Sequence, residues 1–139
     1  MILLDTNVIS ALMQQPTDKK VVAWLDGQPR SSVWTTSVTV LEIRYGLHIL
    51  ALGKKRSTLM QAFEILLTDK LGQRVAAFDM AAALYSAELM AERRKQGRPV
   101  ELRDTMIAGI ALASNATVAT RNTAHFDDLS VSVVNPWTL

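Results

Sequence analysis

The sequence predicts an α/β fold, one domain over residues 1–139 built around a central, mostly parallel sheet of about five strands. The chain opens with an uninterrupted apolar run, Met1–Leu4, which is typical of a strand buried on both faces. Short segments rich in β-formers then alternate with segments of helical periodicity. No repeat, low-complexity tract or linker divides the chain, so we expect a single domain.

Apolar periodicity and turn residues place the elements of the first half. A helix follows Asp5, since Val8, Ile9 and Leu12 recur at helical spacing. A second short helix ends at Gly27 and Pro29. The other elements predicted here are a strand over 32–36, a helix over 38–52, a charged bend over 54–56 and a helix over 59–67.

The same signals place the elements of the second half. Asp79 caps a long helix that ends in basic residues and Gly97, as helix C-termini prefer. Asp104 is expected to open a helix over 105–113 that is rich in small residues. The other predicted elements are strands over 74–78, 117–120 and 131–134, with a loop or short helix over 121–128.

Composition excludes several classes of protein. The chain has no cysteine, which removes disulfides, thiolate nucleophiles and cysteine-bound metals. No apolar stretch approaches the ~20 residues of a membrane-spanning helix, and no signal peptide is visible. We therefore expect a cytoplasmic protein without a membrane role. The net charge of +2 is a weak signal by itself, but acids bound to a metal would leave a basic surface suited to nucleic acid.

Four polar residues stand where a parallel sheet would bring them together. Asp5, Glu42 and Asn122 follow predicted strands, and Asp104 starts a helix beside them. Each also has a purely structural interpretation: Asp5 and Asp104 as helix caps, Glu42 in a capping box with Thr39, and Asn122 as a turn residue. Ligand sites of α/β sheets form at the carboxyl ends of strands, so we expect these side chains to meet there.

Clustered carboxylates favour a divalent cation, because they repel one another unless it neutralises them. Oxygen donors without cysteine favour Mg²⁺ or Mn²⁺ over zinc. Such sites typically activate water against a phosphodiester. The glycines form no phosphate-cradling loop, and no serine lies in a nucleophile elbow. His48 is interpreted as a core or interface residue, and His125 as a substrate contact or a surface or capping residue.

The motifs taken together resemble those of the PIN-domain family, within it the VapC toxins, especially the FitB-like branch. The resemblance runs from Met1 to Trp137. It is carried by the segments Leu4-Asp5-Thr6-Asn7, Leu41-Glu42-Ile43-Arg44-Tyr45-Gly46, Arg103-Asp104-Thr105-Met106-Ile107-Ala108, Thr120-Arg121-Asn122-Thr123 with His125-Phe126, and Val134-Asn135-Pro136-Trp137.

The resemblance implies a three-layer α/β/α fold and an endoribonuclease dependent on Mg²⁺ or Mn²⁺, the toxin of a toxin–antitoxin pair. The family's metal-binding acids fall on Asp5, Glu42 and Asp104. The fourth catalytic position is Asn122, whose amide adds no negative charge but can orient water or a neighbouring carboxylate. Asp127 is a nearby acid that could compensate for that amide, but it is not assigned to the site.

The resemblance also implies partners. These are an RNA substrate, a homodimer, and a cognate VapB- or FitA-like antitoxin that covers the acidic pocket and makes any DNA contacts itself. An apolar groove on the helices over 38–52 and 59–67 would receive the antitoxin, unless those residues belong to the core. Arg98 and Arg103 flank Asp104 in sequence and are the candidates for RNA phosphate contacts.

Two other functions stay open at this point. A phosphoacceptor receiver domain would have adjacent acids after the first strand and a lysine near the end of the last strand, and this chain has neither. The other alternative is a catalytically weak PIN scaffold that only binds RNA or an antitoxin. In this alternative, Asn122 in place of an acid indicates lost activity.

Overall fold

Strand β1 (Ile2–Leu4) is the centre of a five-stranded, fully parallel sheet. The computed structural model describes every residue from Met1 to Leu139. The other strands are β2 (Val33–Thr36), β3 (Val75–Ala76), β4 (Thr117–Ala119) and β5 (Val133–Val134). Their order across the sheet is β3-β2-β1-β4-β5. The predicted α/β class and the strand number are confirmed.

The strand order creates a crevice beside β1. From β1 the chain first builds the sheet outward through β2 and β3, and only then returns to add β4 on the opposite side. Ile2 pairs with Val33 of β2 and with Thr117 of β4. Ligand sites in open α/β sheets lie outside the carboxyl ends of the strands where the direction of building reverses. In this chain that position follows Leu4 of β1 and Ala119 of β4.

Helices cover both faces of the sheet and complete the three layers. They are α1 (Thr6–Met13), α2 (Lys19–Asp26), α3 (Ser37–His48), α4 (Lys54–Ile65), α5 (Met80–Lys95) and α6 (Leu102–Ser114), with a π-helical turn over Leu66–Lys70 and 3₁₀ turns over Arg30–Ser32 and Thr123–His125. None of these helices combines the length and apolar character needed to cross a membrane.

The first strand is buried on both faces, as its unbroken apolar run predicts. Leu4 belongs to a core with residues of α1 to α4, among them Val8 and Phe63. Leu3 belongs to a second core with residues of α5 and α6, including Ile107. Successive side chains of a strand point to opposite faces, so one short strand contributes to both layers of packing.

Helices α5 and α6 approach closely at Gly109. A Cβ added there would lie 1.8 Å from Ser86 Oγ and 2.6 Å from the Ala82 carbonyl oxygen. The missing side chain at Gly109 therefore allows α5 and α6 to pack closely.

Three predicted boundaries near the site are wrong. Helix α3 ends at His48 rather than at residue 52. The basic segment over 54–56 is the first turn of α4, because Gly53, at φ 154°, supplies the sharp bend before it. Helix α6 begins at Leu102, ahead of the predicted start at residue 105.

Candidate active site

Asp5 lies at the bottom of the crevice, immediately after β1, and is only 3% exposed. Its Oδ1 accepts the Thr6 backbone N–H at 2.8 Å, so Asp5 does cap α1. Its Oδ2 accepts the Thr120 hydroxyl at 2.7 Å and faces the Asn7 amide at 3.3 Å. The carboxylate is therefore both the helix cap and a group held by the neighbouring strand's end.

Glu42 reaches the crevice from α3. The structure does not form the capping box predicted for Thr39 and Glu42, because the helix starts earlier and its cap is Thr36, which accepts the Thr39 N–H at 3.0 Å. Glu42 Oε1 instead accepts the Thr6 hydroxyl at 2.8 Å, and Oε2 lies 3.7 Å from Arg103 Nη1. The side chain is free for a role outside its own helix.

Asp104 lies in the first turn of α6 and does not cap it, since the cap position is Glu101. A carboxylate in the first turn is favoured by the helix dipole. Asp104 Oδ2 lies 2.8 Å from His125 Nδ1, and its side chain is 16% exposed. The imidazole thus joins the carboxylate from the loop after β4.

The three carboxylates influence one another electrostatically. Burial is the main cause that raises the pKa of Asp5, Glu42 and Asp104 above the ordinary carboxyl range. Repulsion adds to it: Asp104 raises the pKa of Asp5, Asp5 raises that of Glu42, and Glu42 raises that of Asp104. Hydrogen bonds oppose these shifts without cancelling them: Thr120 and Thr6 act on Asp5, Thr6 on Glu42 and His125 on Asp104. The structure therefore brings together the three acids that the sequence singled out.

Asn122 is at the edge of this group. Its backbone N–H donates to the Thr120 hydroxyl at 3.0 Å, the same hydroxyl that donates to Asp5. Its side chain is exposed and does not cap the 3₁₀ turn that follows. An amide in this position is open to a water molecule or a substrate.

Sequence reasoning missed the hydroxyls that hold the acids and left His125 open. Thr6 directly follows Asp5, and Thr120 lies two residues before Asn122. Their closeness in sequence to candidate residues was the signal that could have identified them. His125 contacts Asp104 directly. His48, interpreted as a core or interface residue, is exposed beside Arg56, so the core interpretation is wrong.

A buried arginine fixes the loop that carries His125. Arg93 of α5 is 2% exposed and forms two 2.8 Å bonds with the carboxylate of Asp128. It also donates to the His125 carbonyl at 2.8 Å and to the Thr105 hydroxyl at 3.0 Å. The basic run at the end of α5 indicated only a helix C-terminus, so this role was not predicted.

The two arginines expected to contact RNA phosphates are held by carboxylates. Arg98 pairs with Asp127 and Asp128 and also donates to the Ala124 carbonyl. Asp127 thus faces Arg98 and makes no contact with the three site acids. Arg103 pairs with Glu101 at 2.6 Å and lies near Glu42. The phosphate-binding role of Arg98 and Arg103 stays a prediction.

The donor set fits a hard divalent cation, because the groups that lie at the crevice are carboxylate oxygens, the ligands that such ions prefer. No three acidic or histidine side chains are already arranged as a metal cage. Each acid instead holds an internal partner: Thr120 on Asp5, Thr6 on Glu42 and His125 on Asp104. Ion binding would replace or share these contacts.

Comparison with known proteins identifies the family of the chain and agrees with its fold. The PIN domain profile matches residues 2–131. The plasmid stability protein StbB of Pseudomonas syringae is 40% identical over 99% of both chains. The VapC ribonuclease Y4jK of Sinorhizobium fredii is 37% identical over 99% of this chain and 98% of its own. The toxin FitB of Neisseria gonorrhoeae is 36% identical over 99% of both chains.

Solved structures give the same result. The crystal structure of FitAcB from Neisseria gonorrhoeae has a TM-score of 0.89 and 37% identity, and the match covers 100% of both chains. A structure of FitAB bound to an IR36 DNA fragment has the same TM-score and identity, with 100% of this chain and 97% of the other covered. The chain belongs to the PIN-domain family. This membership excludes the receiver-domain alternative.

Proposed function

We propose that the chain is an endoribonuclease dependent on Mg²⁺ or Mn²⁺ and the toxin of a VapBC-type toxin–antitoxin pair. The observation that carries the proposal is the convergence of Asp5, Glu42 and Asp104, from three distant parts of the chain, at the sheet's crevice. Its support from relatives is the full-length similarity to a protein named as a VapC ribonuclease and to one named as a toxin.

Asp5, Glu42 and Asp104 would hold the ion, which when bound supplies charge neutralisation and Lewis-acid chemistry at a phosphodiester. Asp5 is the most buried of the three, and Thr6 and Thr120 fix both of its oxygens. Glu42 and Asp104 have side chains 17% and 16% exposed. Their position nearer the solvent makes them the acids that face a phosphodiester.

Proton transfer is the task of this chain's own residues. A carboxylate oxygen not occupied by the ion would accept the proton of an attacking water, and Glu42 and Asp104, whose side chains are 17% and 16% exposed, are the acids that water can reach. Asn122 orients that water through its amide. His125, fixed by Arg93 through its carbonyl, holds Asp104 in place.

We propose an antitoxin as the macromolecular partner, because solved structures similar to this chain are FitAB and FitAcB assemblies. Helix α3 and the residues after it present an apolar stripe at helical spacing, with Leu41 and Tyr45 each 59% exposed and Ile49 67% exposed. A pocket of about 390 Å³ links Leu50 and Leu59 to Glu42. An apolar antitoxin segment would cover the stripe, and a basic side chain of the antitoxin that enters the pocket would neutralise Glu42.

The assembly we propose is a homodimer of this chain bound to the antitoxin, with DNA contacted through the antitoxin. A second candidate function is a PIN scaffold that binds RNA or an antitoxin without cleaving RNA. The observation that favours it is Asn122: the family has either an aspartate or an asparagine at this position, and the amide adds no negative charge for a metal.

The test is cleavage of total cellular RNA by the purified, partner-free protein with Mg²⁺ or Mn²⁺. We expect discrete fragments that disappear with EDTA and with Asp5→Asn. The matched control is Asp26→Asn, the same chemical change on an exposed acid at the end of α2, which should cleave like the parent. Absence of cleavage by the folded parent under both metals would favour the scaffold, and full activity of Asp5→Asn would refute the assignment of the acid site.

A further inference from the structure

Arg121 forms a flat cationic surface at the edge of the site. Its guanidinium carbon lies 4.1 Å from the centre of the Trp137 ring. The Arg121 backbone N–H donates to Asn7 Oδ1 at 3.1 Å, and the Asn7 amide in turn faces Asp5. The residue before it, Thr120, donates to Asp5. Arg121 is therefore linked to Asp5, the most buried acid of the site, in two ways: through the side chain of Asn7 and through its neighbour Thr120.

Trp137 is a fixed platform for this arginine. Its indole Nε1 donates to Asp18 Oδ2 at 3.0 Å, and its backbone N–H donates to Asn135 Oδ1 at 2.9 Å. The ring is partly buried against the core that contains Leu4 and Val8. A guanidinium over an aromatic face is attracted to it and can stack on it, so Trp137 limits the positions that Arg121 adopts.

Arg121 differs from the other arginines around the site. Arg93, Arg98 and Arg103 each pair with carboxylates within 4.0 Å. Arg121 has no such ion pair. Asp18, the acid whose pKa it helps to lower, is already occupied by Trp137 and by two backbone N–H groups. Arg121 is exposed, so its outer face and its N–H edge are open to a ligand.

We propose that Arg121, held on Trp137, is a subsite for one nucleotide of single-stranded RNA next to the scissile phosphate. The outer face of the guanidinium stacks under the base, and its N–H edge donates to the phosphate of that nucleotide. Unpaired bases are commonly recognised by stacking on aromatic rings and on arginine planes. This inference rests on the proposed function, because it assigns a contact to the same RNA.

The experiment measures binding rather than cleavage. Fluorescence anisotropy of a fluorescein-labelled, mixed-sequence single-stranded RNA oligonucleotide is followed with Asp5→Asn protein in Mg²⁺, so that the RNA stays intact. In this background, Arg121→Gln removes the positive charge and the guanidinium plane on which a base would stack. We expect the Kd to rise about tenfold. Arg121→Lys keeps the charge but loses the plane, and we expect a rise of about fivefold. Arg94→Gln, the same charge loss at an exposed position of α5, should change the Kd by less than about twofold.

The dependence on salt and the comparison of single-stranded with duplex RNA distinguish the phosphate contact from base stacking. Arg121→Gln should reduce the slope of log affinity against log salt by roughly 0.7, the value for one phosphate contact on a single strand, and Arg121→Lys should leave it unchanged. The loss in Arg121→Lys should vanish with duplex RNA, whose bases are stacked on each other. Parent-like affinity of Arg121→Gln would overturn the subsite, and parent-like affinity of Arg121→Lys for the single strand would overturn the stacking. If the protein binds RNA neither with Asp5→Asn in Mg²⁺ nor with the native Asp5 in EDTA, the proposed function fails together with the subsite, whereas a parent that binds RNA while the Arg121 variants are unaffected refutes the subsite alone.

Discussion

Arg93 and Asp128 are joined by two hydrogen bonds of 2.8 Å, from Nε to one carboxylate oxygen and from Nη2 to the other. The arginine comes from the last turn of α5, and the aspartate lies beyond His125 in the loop after β4. Because Arg93 also donates to the His125 carbonyl, a pair outside the acid cluster determines the position of a residue that contacts Asp104.

Replacing Arg93 should therefore affect both stability and the site. Arg93→Met leaves Asp128 and the Thr105 hydroxyl without their buried donor, and we expect the free energy of unfolding to fall by about 3 kcal/mol. RNA cleavage should fall as well, since His125 loses its anchor. Urea denaturation and cleavage assays measure the two effects.

Two variants serve as controls for that experiment. Arg94→Met, on the exposed neighbour, should change stability by no more than about 0.5 kcal/mol. The double variant Arg93→Met with Asp128→Leu should regain part of the lost stability, because no charge is then left without a partner. A double variant less stable than Arg93→Met alone would show that the pair is not the source of the effect.

The same ion pair predicts how stability depends on pH. Arg93 is the main cause that holds the pKa of Asp128 below the ordinary carboxyl range. A group with a lowered folded-state pKa contributes stability that is complete above its unfolded pKa, about 3.9 for aspartate, and that is lost as the pH falls through the folded pKa. The difference in unfolding free energy between the parent and Asp128→Asn should therefore shrink on acidification below about pH 4. A difference that stays constant from pH 7 to pH 2 would contradict this account.

Glu42→Gln should separate metal binding from folding. The amide still accepts the Thr6 hydroxyl but removes one charge from the repelling cluster. In EDTA at pH 8 we expect the variant to be more stable than the parent by about 0.5 kcal/mol, a small value because solvent screens a partly exposed group. Excess Mg²⁺ should raise the melting temperature of the parent more than that of the variant, since only binding to the folded state stabilises it.

Glu88→Gln is the matched control for Glu42→Gln, because Glu88 is an exposed acid on α5. It should keep the parent's response to Mg²⁺ and the parent's rate of RNA cleavage. An identical thermal response to Mg²⁺ in the parent and in Glu42→Gln would argue that Glu42 does not hold the ion.

Gly109 tests the packing of α5 against α6. Gly109→Ala places a methyl group 1.8 Å from Ser86 Oγ, so the helices must separate, and we expect a loss of about 2 kcal/mol or more in unfolding free energy. Gly46→Ala is the opposite case, because no atom lies within 4 Å of the added methyl in α3, and it should stabilise by about 0.5–1 kcal/mol. Thermal or chemical denaturation measures both variants, and a Gly109→Ala protein as stable as the parent would contradict the observed contact.

The sequence predicted the acids of the site better than their surroundings. Asp5 was visible because it ends an unbroken apolar strand, and the parallel arrangement of strands then placed Glu42 and Asp104 beside it. The contacts of Thr120 and His125 depend on the order of strands in the sheet, which local periodicity does not contain. Arg93 was hidden for another reason: a basic residue in a basic run has the pattern of a solvated helix end, and its burial comes from Asp128, 35 residues later.

The start of α6 shows a similar limit. Aspartate before an apolar helix has the pattern of a cap, and the sequence therefore predicted that Asp104 caps α6. The helix in fact starts at Leu102, so Asp104 belongs to the first turn and its side chain turns to His125. Capping propensity identifies the neighbourhood of a helix start, but tertiary partners decide which residue occupies the cap.

The placement of β4 beside β1 has a consequence during translation. Asp5 and the Thr120 hydroxyl that holds it are separated by 115 residues, and a ribosome builds the chain from the N-terminus. The nascent protein therefore carries Asp5 and Glu42 for most of its synthesis while the strand and loop that complete the site do not yet exist. If the finished chain cuts RNA as proposed, each copy can act only once its own translation is nearly complete.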